Sequence, residues 1–203
     1  MVFILILFAL ILSLTFHEYG HGIVAKGFGD DTAEKAGRLT LNPFPHIDPM
    51  GLLMVIIIGF GFARPVPTNP HNYSSRWGIF FVAAAGPAMN LIVAFVSVNL
   101  YELGLLLEWE LFQGKAANWF FVYLSLINML LMLFNLIPVG PLDGHYLLPF
   151  LLPPKLARIY LYYNDRYGHW FLLSLIALAI FGVPVFQYVW DLGQTVLRFL
   201  IVF

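Results

Sequence analysis

Residues 1–25 read MVFILILFALILSLTFHEYGHGIVA, and this stretch decides the fold. Met1 to Phe16 carry no charged side chain, and Glu18 is the one charge before Lys26. A run this long and this apolar reads as a membrane-spanning helix, about residues 2–26. It lacks the basic start and the small-residue cleavage site of a removable leader, so it is expected to be retained. On a helix, residues four apart share one face, which places His17 and His21 to grip a single metal ion. Glu18 lies between them. A carboxylate in a membrane helix costs on the order of several kcal/mol, so chemistry explains it better than packing does.

The rest of the chain agrees with lipid as its solvent. Of the 203 residues, 61% are hydrophobic and only 10% are charged, where a soluble domain carries roughly a quarter. The net charge of −1 offers no basic surface for nucleic acid. Cysteine is absent, so any metal must be held by His, Asp or Glu.

The hydropathy pattern predicts an all-α polytopic membrane protein in a single domain, residues 1–203. Further spans are expected at about 77–100, 118–137 and 168–183, giving a three-helix core plus a fourth helix. Between the first two spans, GLLMVIIIGFGF (51–62) is too short to cross. It is read with Arg38–Asn42 as a short β or re-entrant segment at about 37–62. Pro184 opens an amphipathic stretch, about 186–203, expected to lie in the interface. Eight of the ten basic residues fall in loops on one side, which the positive-inside rule makes cytoplasmic, with the N-terminus outside. His17 then lies about 22 Å along the first helix, nearer its inner end. The expected location is the cell membrane.

Two histidines leave a catalytic zinc one protein ligand short. Glu102, Glu108 and Glu110 fall in an outer loop, and Asp30, Asp31, Glu34 and Asp165 in polar inner loops. Asp143 alone is an acid flanked by apolar sequence at a helix break, PVGPLDGHYLL. Unwound backbone at membrane depth is tolerated where it lines a cavity. Asp143 is therefore read as the third ligand, with His145 as a rival ligand or as a partner of one. A zinc ion so held lowers the pKa of a water and polarises a carbonyl. Glu18 is the general base, and Asn135 is the best neutral donor to a developing oxyanion.

HEYGH, LNPFPHIDPMG, GFARPVPTNP, GPAMN and NLIPVGPLDG follow one another in this order. Together they resemble the site-2 protease family of intramembrane zinc metalloproteases, in a minimal form without PDZ or nucleotide-sensing domains. The resemblance implies His17, His21 and Asp143 as zinc ligands, Glu18 as the catalytic glutamate, and Asn135 as a residue tied to substrate or oxyanion contacts. It also implies a transmembrane protein segment as substrate, cleaved near the cytoplasmic side in regulated intramembrane proteolysis. Gly140 departs from the family, where a second proline is common, which predicts a looser loop around Asp143.

An extended substrate would pair well with a strand edge, for which Arg38–Asn42 and Met54–Ile58 are the candidates. Asn90 reads first as an interhelical hydrogen bond beside Ala83–Gly86, and second as a substrate contact. His46 and Asp48 read as a structured turn, with His46 also a candidate substrate contact. The lipid bilayer and a second copy of the chain complete the expected partners. The alternative reading is a membrane zinc-binding protein without proteolysis, or a metal permease. A permease needs polar groups along a whole path, whereas the outer halves of these helices are almost wholly apolar.

Overall fold

The computed structural model describes residues 1–58 and 61–203, and the described residues form eight α-helices. These are α1 (Val2–Gly27), α2 (Thr32–Lys35), α3 (Pro49–Ile58), α4 (Trp77–Leu106), α5 (Lys115–Asn135), α6 (Gly144–Leu151), α7 (Pro154–Ile180) and α8 (Gln187–Phe199). Three of them, α1, α4 and α5, are long and apolar enough to cross a membrane. Each of the three packs against the other two. Their outward faces carry exposed large apolar side chains, among them Ile4, Ile92, Val96 and Val122. A helix apolar on all sides is suited to lipid outside and protein inside.

Hydroxyl side chains inside this core bond within their own helices. The hydroxyls of Ser13, Thr15, Ser97 and Ser125 each donate to a carbonyl one turn back, at 2.6–2.7 Å. That geometry hides a hydroxyl without needing a partner helix.

The segment after α1 holds a short helix in place of the strands that its sequence allows. Among the described residues no strand forms: Arg38–Asn42 runs as bends, and Met54–Ile58 belongs to α3. Of the expected β or re-entrant segment, residues 59 and 60 lie outside the described residues. A lone strand would leave its backbone groups unpaired, whereas a helix pairs them internally. Asp48 supplies the cap, its Oδ1 accepting from the Met50 and Gly51 N–H groups at 2.9 Å. Neither proposed strand edge therefore exists to receive a substrate.

The fourth helix begins earlier than the hydropathy pattern predicts. Pro154 starts α7 at a position where its missing N–H costs nothing, and Lys155, Arg158 and Arg166 ride on the helix rather than in a loop. Amphipathic α8 docks on α5, with Val196, Leu197 and Leu200 against Met129 and Met132. Asn99 on α4 ties down its end, donating to the Leu200 carbonyl and accepting from the Val202 N–H, both at 2.8 Å.

Candidate metal centre

One turn of α1 carries His17 and His21 to a common point, as the four-residue spacing requires. Their Nε2 atoms lie 3.1 Å apart. Asp143, in the break between α5 and α6, brings Oδ2 to 3.3 Å from His17 Nε2 and Oδ1 to 3.4 Å from His21 Nε2. These three residues form a group able to hold a metal ion. His17 is buried, and His21 and Asp143 are nearly so.

The protons argue for a cation. His17 Nδ1 faces Asn90 Oδ1 at 2.6 Å, and His21 Nδ1 faces the Val82 carbonyl at 2.6 Å. Both partners are acceptors, so in each neutral ring the proton sits on Nδ1 and Nε2 is a bare lone pair. Two lone pairs and a carboxylate then converge with no proton between them, and Asp143 Oδ2 is buried without a hydrogen-bond partner. Such a group repels itself unless a proton or a metal ion stands among its atoms, and the convergence of three donors suits a metal ion. Tetrahedral zinc with bonds of about 2.1 Å spaces its ligand atoms about 3.4 Å apart, close to the distances here. A backbone carbonyl or an amide on the other ring nitrogen is the usual way to fix the tautomer of a ligating histidine.

Helix α4 supplies the floor. A methyl group at Gly86 would collide with His21 Nε2 and His17 Cε1, so only glycine lets α4 pass beneath the pair. Asn90, one turn on, is fully buried and also donates to Asn128 Oδ1 at 2.8 Å and to the Ser13 carbonyl at 3.2 Å. Asn128 in turn donates to Ser13 Oγ at 2.7 Å. The amide network thus joins α1, α4 and α5 directly behind His17.

Glu18 is buried on the same helix, one residue from His17. Its Oε2 accepts from the Val66 N–H at 2.7 Å, so the loop after α3 reaches over it. That loop is held from both sides. Asp30 accepts from the Asn69 N–H at 2.6 Å and from Asn72 Nδ2 at 2.8 Å, and from Thr32 as well. Burial opposes the ionised form of Asp30, but the hydrogen bonds outweigh it and hold the carboxyl below its ordinary value. Arg38 is buried nearby, its Nη2 donating to the Arg64 carbonyl at 2.7 Å. Burial and Arg64 push its guanidinium down, while the charge of Glu18 pulls it up.

The remaining sequence candidates fall elsewhere. Asn135 is half-buried at the end of α5, and its amide donates to the Leu131 carbonyl of its own helix at 3.0 Å. His145 is turned toward α7. Its Nδ1 accepts from Asn164 Nδ2 at 2.6 Å and its Nε2 faces Asp165 Oδ1 at 3.5 Å, so neither nitrogen serves the histidine pair. Burial holds this imidazole below its ordinary pKa, against the pull of Asp165 and with the help of His169. His46 is buried in the turn before α3, where Nε2 donates to the Thr40 carbonyl at 2.9 Å and the His46 carbonyl accepts from the Arg64 N–H at 2.8 Å. With Thr15 and Leu14 of α1 and Leu52 and Val55 of α3, it lines an apolar cleft.

Asn128 and Asn164 carry weight that the sequence reading passed over. Each is an amide flanked by apolar and aromatic residues in a helix, the kind of signal that Asn90 also gives. The Val82 carbonyl and the Val66 N–H are backbone groups, which no residue type announces.

The model of peptidase family M50 matches residues 5–107, which include His17, Glu18 and His21. A Bacillus subtilis protein named "Putative zinc metalloprotease YwhC" is 40% identical over 184 residues, covering 89% of this chain and 81% of that protein. "Putative zinc metalloprotease Rip2" of Mycolicibacterium smegmatis is 32% identical over 163 residues, covering 77% of this chain. The chain spans 61% of the length of that relative. "Putative zinc metalloprotease MJ0611" of Methanocaldococcus jannaschii is 28% identical over 149 residues, covering 73% of this chain and 71% of that protein. No solved structure gives a significant match.

Proposed function

Because the chain belongs to peptidase family M50, we propose that it is a zinc endopeptidase that cuts membrane-spanning protein segments near the cytoplasmic side. The observation that carries this reading is the convergence of two bare imidazole nitrogens and one carboxylate beside a buried glutamate. His17, His21 and Asp143 would hold the ion. Zinc bound there supplies a Lewis acid for the scissile carbonyl and a water acidic enough to lose its proton near neutral pH.

The chain's own residues do the rest. Glu18 accepts the proton of the attacking water and returns it to the leaving amine. The Val66 N–H holds one of its oxygens, which fixes the direction of the other. Asn90 and the Val82 carbonyl keep both rings in the tautomer that presents Nε2. Asn135 gives one amide hydrogen to the Leu131 carbonyl, and its second is the one that would serve as oxyanion donor. The basic loops favour an N-terminus outside and a site facing the cytoplasm.

The test is the purified full chain in detergent, assayed for bound zinc and for cleavage of membrane-spanning peptides. Glu18→Gln is expected to keep the zinc and to lose about 10²–10⁴-fold in rate, the usual worth of a general base. A variant cleaving at the wild-type rate would remove Glu18 from the mechanism.

A further inference from the structure

Asp143 is placed by a segment with few bonds of its own. Pro138 and Pro141 have no N–H to offer, and Gly140 stands at φ +62°, a left-handed conformation that favours glycine. Sequence alone predicts a loose loop here. The structure shows instead that a stripe on α7, Tyr160, Asn164 and Gly168, runs along the break. These residues are four apart and share one helix face.

The contacts are specific. Tyr160 Oη donates to the Pro138 carbonyl at 2.9 Å. Asn164 Oδ1 accepts from the Gly140 N–H at 3.0 Å, and its Nδ2 lies 3.4 Å from the Gly140 carbonyl. The same Nδ2 donates to His145 Nδ1 at 2.6 Å. One buried amide thus grips the chain three residues before Asp143 and two residues after it. Gly168 completes the seat: a methyl there would lie 2.9 Å from both Gly140 N and Gly140 Cα, and 2.6 Å from Asn164 Oδ1.

We propose that Asn164 is a positioning residue for Asp143, so that the fourth helix sets how tightly the centre holds its metal. The amide never touches the metal; it acts by holding the segment that aims the carboxylate at the histidine pair. This rests on the reading of Asp143 as a zinc ligand. It accounts for an asparagine buried on an otherwise exposed stretch of helix, and for the close approach of Gly168 to Gly140.

The test measures zinc dissociation constants of the full chain in detergent by chelator competition. Absorption of the cobalt-substituted protein reports the ligand geometry. Asn164→Ala is expected to weaken zinc about 10-fold or more, the range seen when partners of metal ligands are removed, and to alter the cobalt spectrum. Gly168→Ala guards against misfolding of that variant. Alanine favours a helix over glycine, so α7 is expected to stay helical in this variant while the new methyl presses on Gly140. Displacement of Gly140 predicts weaker zinc. Ser174→Ala, whose hydroxyl bonds only to Phe171 of its own helix, should change the affinity less than about twofold. Wild-type zinc affinity in both Asn164→Ala and Gly168→Ala, with zinc lost in Asp143→Ala, would overturn this proposal alone. Zinc retained in Asp143→Ala would bring down the ligand assignment first, and this proposal with it.

Discussion

His17 and His21 are fixed relative to each other by one turn of α1, whereas Asp143 stands in a break and is aimed by contacts from a helix far along the chain. On the histidine side the backbone makes the spacing, and α4 and α5 need only set ring orientation through Gly86, Val82, Asn90 and Asn128. On the aspartate side nothing local makes the spacing. Pro138, Gly140 and Pro141 interrupt the ladder, and Tyr160 and Asn164 satisfy the groups so freed. A centre built this way has one stiff half and one half whose position depends on how α7 docks.

The comparison can be broken most directly on its stiff side. Asn90→Ala removes the acceptor for His17 Nδ1 and leaves Asn128 Oδ1 without its donor. Zinc affinity is expected to fall about 10–100-fold, measured by chelator competition. Unchanged affinity would mean that α1 alone orients the ring, and the amide network would then be packing only. Gly140→Ala probes the other side. Forcing an L side chain to φ +62° costs roughly 1–2 kcal/mol, to be read as reduced stability in denaturant and, with it, weaker zinc. Stability lost without any change in zinc affinity would separate the loop from the ligand it carries.

The smallest effect belongs to a region outside both halves. Asp30 clamps the loop that reaches Glu18, and its hydrogen bonds hold its carboxyl below the ordinary value of 3.8. A carboxyl lowered on folding adds stability above its unfolded pKa, and that share is lost as pH falls through the folded value. The wild type should therefore lose stability as pH falls below 3.8 and through the lower folded value. Asp30→Asn, which cannot change charge, should show no such increment. An identical acid profile in the two proteins would show that the clamp does not contribute.

Much of the fold was legible because lipid enforces simple rules. Sixteen uncharged residues before His17 and later apolar runs read as four spans. Three helices, α1, α4 and α5, are long and apolar enough to cross, and α7, which holds the fourth span, is not among them. Whether residues 49–58 form strand or helix was not legible, since Val and Ile suit both and the deciding feature was a cap from Asp48. The start of α7 was missed because three basic residues within it look like a loop when hydropathy alone is read.

By itself the sequence determined which chemical groups are present. HEYGH writes two imidazoles and a carboxylate into one helical turn, and Asp143 is the one acid set at an apolar break. Tertiary structure decided which atoms are free to act. Asn90 and the Val82 carbonyl take the protons of the two rings, His145 is drawn away by Asn164, and Gly140 is seated rather than loose. The reason is physical: spacing along a helix is a local property of the backbone. The state of a lone pair depends on which groups, from anywhere in the chain, are brought against it.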